Sequence, residues 1–102
     1  GLDIVVGKII YVDIDKTICS DTHGSYNEVQ PNLKHIEKIN KLFLEGNTII
    51  YWTARGTITK IDWLELTKNQ LNEWGCLYHD VRIHKPHYDL WIDDKSIRIE
   101  EL

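Results

Sequence analysis

The chain has 102 residues, 42% hydrophobic and 27% charged, and its 12 Lys and Arg against 16 Asp and Glu leave a net charge of −4. Those proportions fit one folded domain rather than a disordered segment, and the acidic balance lacks the basic footprint of a nucleic-acid binder. No apolar run approaches the ~20 residues of a membrane span, and no basic-then-apolar signal segment opens the chain.

In chain order, Lys8-Ile9-Ile10-Tyr11-Val12 is a β-branched and aromatic run that ends abruptly in Asp13. Such a run predicts a strand buried on both faces, as in a parallel sheet. From Cys19 to Gln30 the sequence is polar and aperiodic, and reads as a loop. Pro31 sits where a helix accepts its first residue, and Leu33, Ile36, Ile39, Leu42 and Phe43 recur at helical spacing until Gly46. Thr48-Ile49-Ile50-Tyr51-Trp52 predicts a second buried strand, ending at Thr53. Ile61, Leu64, Leu71 and Trp74 mark a second helix closed by Gly75. Val81-Arg82-Ile83, Leu90-Trp91-Ile92 and Ile97-Arg98-Ile99 predict short further strands. The order implies a single α/β domain over residues 1–102, a three-layer Rossmann-like fold with a mostly parallel sheet and helices on both faces.

Ligands of such sheets bind at the carboxyl ends of the strands. Here those ends carry matching chemistry. Asp13-Ile14-Asp15-Lys16-Thr17 follows the first strand; one carboxylate can attack while the other carries a proton, although an Asp-x-Asp also serves as a simple turn. Thr53-Ala54-Arg55-Gly56 follows the second, offering a hydroxyl and backbone N–H groups to a phosphate oxygen, or a helix cap. Lys85-Pro86 fixes a cation at a rigid turn, and Asp93-Asp94 follows the run Leu90-Trp91-Ile92. Adjacent acids there suit a hard cation such as Mg2+ better than zinc.

In this order the four elements resemble the motifs of the haloacid dehalogenase (HAD) superfamily of phosphohydrolases. The resemblance implies that Asp13 attacks phosphorus, that Asp15 protonates the leaving oxygen and then activates water, and that Thr53 and Lys85 hold the phosphoryl group. It implies Mg2+ held by Asp13, Asp15 (through its backbone carbonyl) and Asp93, with Asp94 as helper. Thr17, Ala54 and Arg55 would border the substrate. Asp15-Lys16-Thr17 also resembles the phosphorylated triplet of cation-pumping ATPases, but Thr17 stands four positions after Asp13, as that motif requires of the attacking residue, whereas Cys19 stands four after Asp15. Lys16 departs from the glycine usual at its position, and Lys95 competes with Lys85, which Pro86 favours. Dehalogenases of the superfamily lack the acid at Asp15, so its presence favours phosphatase or phosphomutase chemistry.

Neither the stretch between Asp13 and Thr53 nor that between Thr53 and Lys85 has room for a cap domain. The chain therefore looks like a minimal, capless member, whose open site takes a large substrate or borrows a lid from another subunit, making a homo-oligomer an expectation. The loop from Ser20 to Gln30 is the local lid candidate, with His23 and Tyr26 as substrate contacts. The runs around Asp13, Thr53 and Lys85 to Lys95 resemble small bacterial capsule and surface-polysaccharide biosynthesis proteins, implying a sugar phosphate. The expected partner is thus a small phosphorylated metabolite, with neither nucleic acid nor membrane. The alternatives are a non-catalytic binding or regulatory domain on the same fold, and a phosphotransferase or mutase domain of a larger protein, which the absence of Met keeps open. His79, His84 and His87 match no zinc-binding helix pattern. Cys19 and Cys76 form no CxxC, so a reducing cytoplasm is expected and Cys19 reads as packing. Trp52, Trp74 and Trp91 read as core or interface, and Trp63, out of phase with its helix, as an oligomer contact if exposed.

Overall fold

β1 (Ile9–Val12), β2 (Thr48–Trp52) and β3 (Asp80–Arg82) form a parallel sheet in the order β1-β2-β3. Ile9 lies beside Thr48 and Val12 beside Tyr51, while Tyr51 pairs with Val81 on its other side. This is a computed structural model, and it describes residues 6–21, 25–60 and 62–102. α1 (Leu33–Leu44) connects β1 to β2, and α2 (Leu64–Glu73) connects β2 to β3. Asn32 rather than Pro31 starts α1, its side-chain oxygen accepting the His35 backbone N–H at 3.1 Å. α2 begins at Leu64, whose N–H reaches Asp62 Oδ1 at 3.0 Å; Ile61 lies outside the described residues. Gly46 and Gly75 end the two helices with positive φ (98° and 77°).

Side chains alternate across a strand, so Val12, Ile49, Tyr51 and Val81 share one face. They form a single core cluster with Ile36 and Ile39 of α1 and Leu71 of α2. Two right-handed crossovers running in one direction along a sheet put both helices on the same side. The opposite face carries Ile9 and Tyr11, 70% and 50% exposed, and Trp52, which meets Trp91 edge-on at 6.4 Å between ring centroids. Among the described residues the sheet is therefore covered by helices on one face, in place of the expected two. β2 is the buried central strand the sequence predicts. β1 is an edge strand with one open side.

Two expected strands are absent among the described residues. Leu90-Trp91-Ile92 and Ile97-Arg98 run as irregular chain, with Ile92 87% exposed, and Ile99–Glu101 is a 3-10 turn whose Ile99 closes the core. The chain leaves β3 through His84, in the left-handed region at φ 69°, and Pro86, so the next apolar run is turned away from the strand direction. No helix of the described residues is long and apolar enough to cross a membrane.

Candidate functional site

The carboxyl end of β1 runs into a tight loop built around Ile14 and Ile18, both fully buried. The Thr17 and Ile18 N–H groups donate to the Ile14 carbonyl at 3.1 and 2.9 Å, and Lys16 N–H to that of Cys19 at 3.0 Å. The buried Ile14 fixes the loop and leaves Asp13 and Asp15 on either side of it half-exposed, both lining a cleft of about 420 Å³. Ala54, Arg55 and Gly56 from the end of β2, Tyr26 and His87 line the same cleft. A larger, shallower hollow of about 590 Å³ between Cys19 and Lys34 contains no acidic residue, so the smaller one is the candidate site.

Lys85 Nζ stands 3.6 Å from Asp13 Oδ1. Its backbone is held from two sides: Lys85 N–H donates to the Thr53 carbonyl at 3.0 Å, and Thr57 Oγ1 donates to the Lys85 carbonyl at 2.8 Å. The ammonium lies over the rings of Tyr88 and Trp91, 5.2 and 5.8 Å from their centroids. Between the two competing lysines, Lys85 is the one at the carboxylate; Lys95 is exposed, with its N–H on Asp93 Oδ1 at 3.0 Å. Burial pushes the Asp13 carboxyl above its ordinary range, and Lys85 opposes that shift.

Asp15 is gripped by Arg55. Nε donates to Oδ2 at 3.0 Å and Nη2 to Oδ1 at 2.7 Å, while Nη1 donates to Thr67 Oγ1 at 3.2 Å and Gln70 Oε1 at 2.6 Å. Arg55 is 1% exposed, and its guanidinium lies 4.8 Å from the Tyr26 ring centroid. Arg55 lines the cleft, as a residue bordering the substrate would, while its guanidinium donors are held by Asp15 and by Thr67 and Gln70 of α2. The Cys19 thiol lies 3.5 Å from Asp15 Oδ1, and burial, then the Asp15 charge, push it up to about 12.

Thr53 is buried, its hydroxyl accepting the Arg55 backbone N–H at 3.1 Å, so the motif caps its own turn at the foot of the cleft. Thr17 does not line the cleft; its carbonyl contacts the His35 ring at 2.7 Å, a bond that ties the loop to the first turn of α1. Tyr26 lines the cleft with a ring set between Arg55 and Trp63, which it meets edge-on at 5.1 Å. Trp63 is thus half-buried against Tyr26 rather than an exposed oligomer contact. His23 lies outside the described residues.

Asp93 and Asp94 are exposed in the irregular segment. The Lys95 backbone N–H, then Asp94 and the Trp91 indole N–H, hold Asp93 below the ordinary carboxylate range, as in an Asx turn. No three His, Cys, Asp or Glu side chains among the described residues gather where a metal ion could sit. Asp13 faces Lys85 and Asp15 faces Arg55, and the four acids expected to hold Mg2+, Asp13, Asp15, Asp93 and Asp94, are not drawn into one group in this arrangement.

Three residues of this site escape a reading by motif: Thr57, which positions Lys85, and Thr67 and Gln70, which hold Arg55. Thr67 and Gln70 do leave a trace in the sequence. They are polar residues in phase with Leu64 and Leu71 on the buried side of α2, where a polar group needs a partner.

Neither a protein-family model nor a curated protein sequence matches the chain. The crystal structure of a structural-genomics target from Vibrio cholerae is similar, with a TM-score of 0.84 and 28% identity over 92% of this chain and 85% of that one. The small α/β architecture with a parallel sheet, consistent with a Rossmann-like fold, is therefore shared with a protein solved by experiment.

Proposed function

We propose that the chain is a phosphomonoester hydrolase of the HAD type, acting on a small phosphorylated metabolite. The observation that carries this reading is Lys85 Nζ 3.6 Å from the carboxylate of Asp13, which with the Arg55-bound Asp15 lines one cleft at the carboxyl ends of β1 and β2. Phosphoryl transfer asks chiefly for in-line positioning and for charge to offset the phosphoryl oxygens. Asp13 attacks phosphorus and forms an aspartyl-phosphate, while the alcohol leaves with a proton from Asp15. Water then opens the acyl phosphate, giving its proton back to Asp15 and releasing inorganic phosphate. Asp15 Oδ1 takes the Cys19 thiol as well as Arg55, whereas Oδ2 keeps a second acceptor direction beyond its Arg55 bond, and the proton travels there. Lys85 offsets the charge on the transferring group, and the turn from Ala54 to Gly56 forms the wall against which it rests.

The resemblance in sequence adds sugar phosphates as the substrate class and Mg2+ as the cation. Asp13 offers Mg2+ one hard oxygen, and chelation with EDTA followed by restoration of Mg2+ tests whether the reaction needs it. The central test is phosphate release from p-nitrophenyl phosphate and a panel of phosphometabolites. Wild type should turn over and Asp13→Asn should not. Equal rates for the two proteins across the panel defeat the reading, and a domain that only binds takes its place.

A further inference from the structure

Gln70 is a buried amide on α2 with a donor and an acceptor to satisfy, and it is 7% exposed. Its two partners settle which way the amide points. Arg55 Nη1 can only donate, so the atom 2.6 Å from it is Oε1; Nε2 then donates to the Tyr26 carbonyl. Tyr26 thus meets this network twice, through its carbonyl on Gln70 and through its ring against the Arg55 guanidinium. The segment containing Tyr26 leaves and rejoins the fold through Ser20 and Gln30, whose backbones exchange a bond of 2.9 Å while Gln30 N–H also reaches Ser20 Oγ at 3.0 Å. Between those ends, among the described residues, Gln70 ties its backbone to α2 by a hydrogen bond, beside the ring contacts of Tyr26 with Arg55 and Trp63 and the burial of Val29 in the core.

Arg55 is planar, so the bond that holds Nη1 also sets the plane in which Nε and Nη2 meet the Asp15 carboxylate. A continuous path of hydrogen bonds follows, from the Tyr26 carbonyl through Gln70 and Arg55 to Asp15. We propose that Gln70 is a positioning residue that couples the segment around Tyr26 to the orientation of the Asp15 carboxylate, so that Asp15 is aimed for proton transfer only while that segment is seated. The coupling rests on the phosphatase reading for its catalytic consequence, but the physical tie stands independently of it. Any buried amide needs both ends partnered; here the donor end serves the wall of the cleft and the acceptor end serves the group behind Asp15.

The test uses two variants of the full chain. Gln70→Met keeps the volume and removes both polar ends. Gln70→Glu keeps an acceptor for Arg55 and removes the donor for Tyr26, which makes it the variant to fold where Gln70→Met does not. In either, backbone hydrogen exchange over residues 26–29 should quicken at least tenfold, and in Gln70→Met the NMR signal of the Arg55 Nε–H should shift as well. Unchanged exchange in both variants overturns the tie. For catalysis, kcat on an alkyl phosphomonoester, whose leaving group needs a proton, should fall at least tenfold more than kcat on p-nitrophenyl phosphate, whose leaving group departs as an anion. Equal falls on the two substrates overturn the role in aiming Asp15, because a general loss of structure spares neither. If wild type cleaves neither substrate, the phosphatase reading fails by itself, and exchange together with the Arg55 signal still decides whether Gln70 couples the segment to Asp15.

Discussion

Arg55 and Asp15, forty positions apart, meet through two nearly parallel hydrogen bonds of 3.0 and 2.7 Å, and the arginine that makes them is 1% exposed. A buried guanidinium is tolerated only when its donors are matched, and this one has Asp15, Thr67 and Gln70. Arg55→Met should therefore lower stability by about 3–5 kcal/mol, the loss typical of breaking a buried ion pair from one side. Arg55→Lys should recover little of it, since an ammonium supplies a point charge instead of a planar fork. Urea unfolding curves read both; a loss below about 1 kcal/mol for Arg55→Met contradicts a closed network of this kind.

Lys16 occupies the left-handed region at φ 68°, where a side chain crowds the following carbonyl. Its ammonium lies in an exposed contact, 3.5 Å from Asp21 Oδ2. Lys16→Gly removes the crowding at some cost in unfolded-chain entropy, and should stabilise the protein by up to about 1 kcal/mol, a rise in Tm of about 4–8 °C for a domain of this size. A fall in Tm on thermal unfolding would show the Asp21 contact outweighing the backbone.

Asp13 gives a stability that depends on pH in a definite sense. Its carboxyl is raised in the folded protein, chiefly by burial, so the native state binds this proton more readily than the unfolded chain does. Stability should then fall as pH rises from the ordinary carboxylate value of 3.8 through the raised one. Asp13→Asn removes the slope: the variant and wild type should have similar Tm values below that window, and the variant the higher Tm above it. A wild type more stable than Asp13→Asn at pH 7 would mean that Lys85 outweighs the burial.

Both thiols are buried, Cys19 pushed up to about 12 and Cys76 to about 11, mainly by their surroundings. Only thiolate attacks a disulfide reagent, so the native protein at pH 8 should react with a chromogenic disulfide at least a hundredfold more slowly than the same protein in urea. Prompt native reaction of one thiol would place that cysteine in an opening the fold does not show.

The parts of this molecule that could be read in the sequence are those governed by short-range pattern. Leu33 to Phe43 repeat at helical spacing and form α1; Thr48 to Trp52 are apolar throughout and form the central strand. Leu90-Trp91-Ile92 offers the same local signal as a strand, yet pairing depends on where the preceding turn at His84 and Pro86 aims the chain, which three apolar residues do not encode. The same division runs through the site. Asp13, Asp15 and Lys85 stand out because their chemistry is unusual at the ends of apolar runs. The partner of Arg55 is set by the direction of a long side chain folding under the loop, and no spacing along the chain carries that information. Hence Arg55, expected to border the substrate, lines the cleft with its donors turned to Asp15 and α2, a pairing the motif does not announce.

Lys85 follows β3 in the chain, but both sides of its peptide are pinned to the loop that follows β2, its N–H on Thr53 and its carbonyl on Thr57. Mechanically, the ammonium belongs to the neighbouring strand's framework. These bonds to its backbone do not pass through the chain beyond Pro86, so a displacement of the aromatic roof of Tyr88 and Trp91 need not drag the cation off Asp13. Cutting the Thr57 pin would leave Lys85 held on one side, by Thr53, so a hydroxyl just past the Thr53 to Gly56 motif helps to decide whether charge and cover travel together or apart.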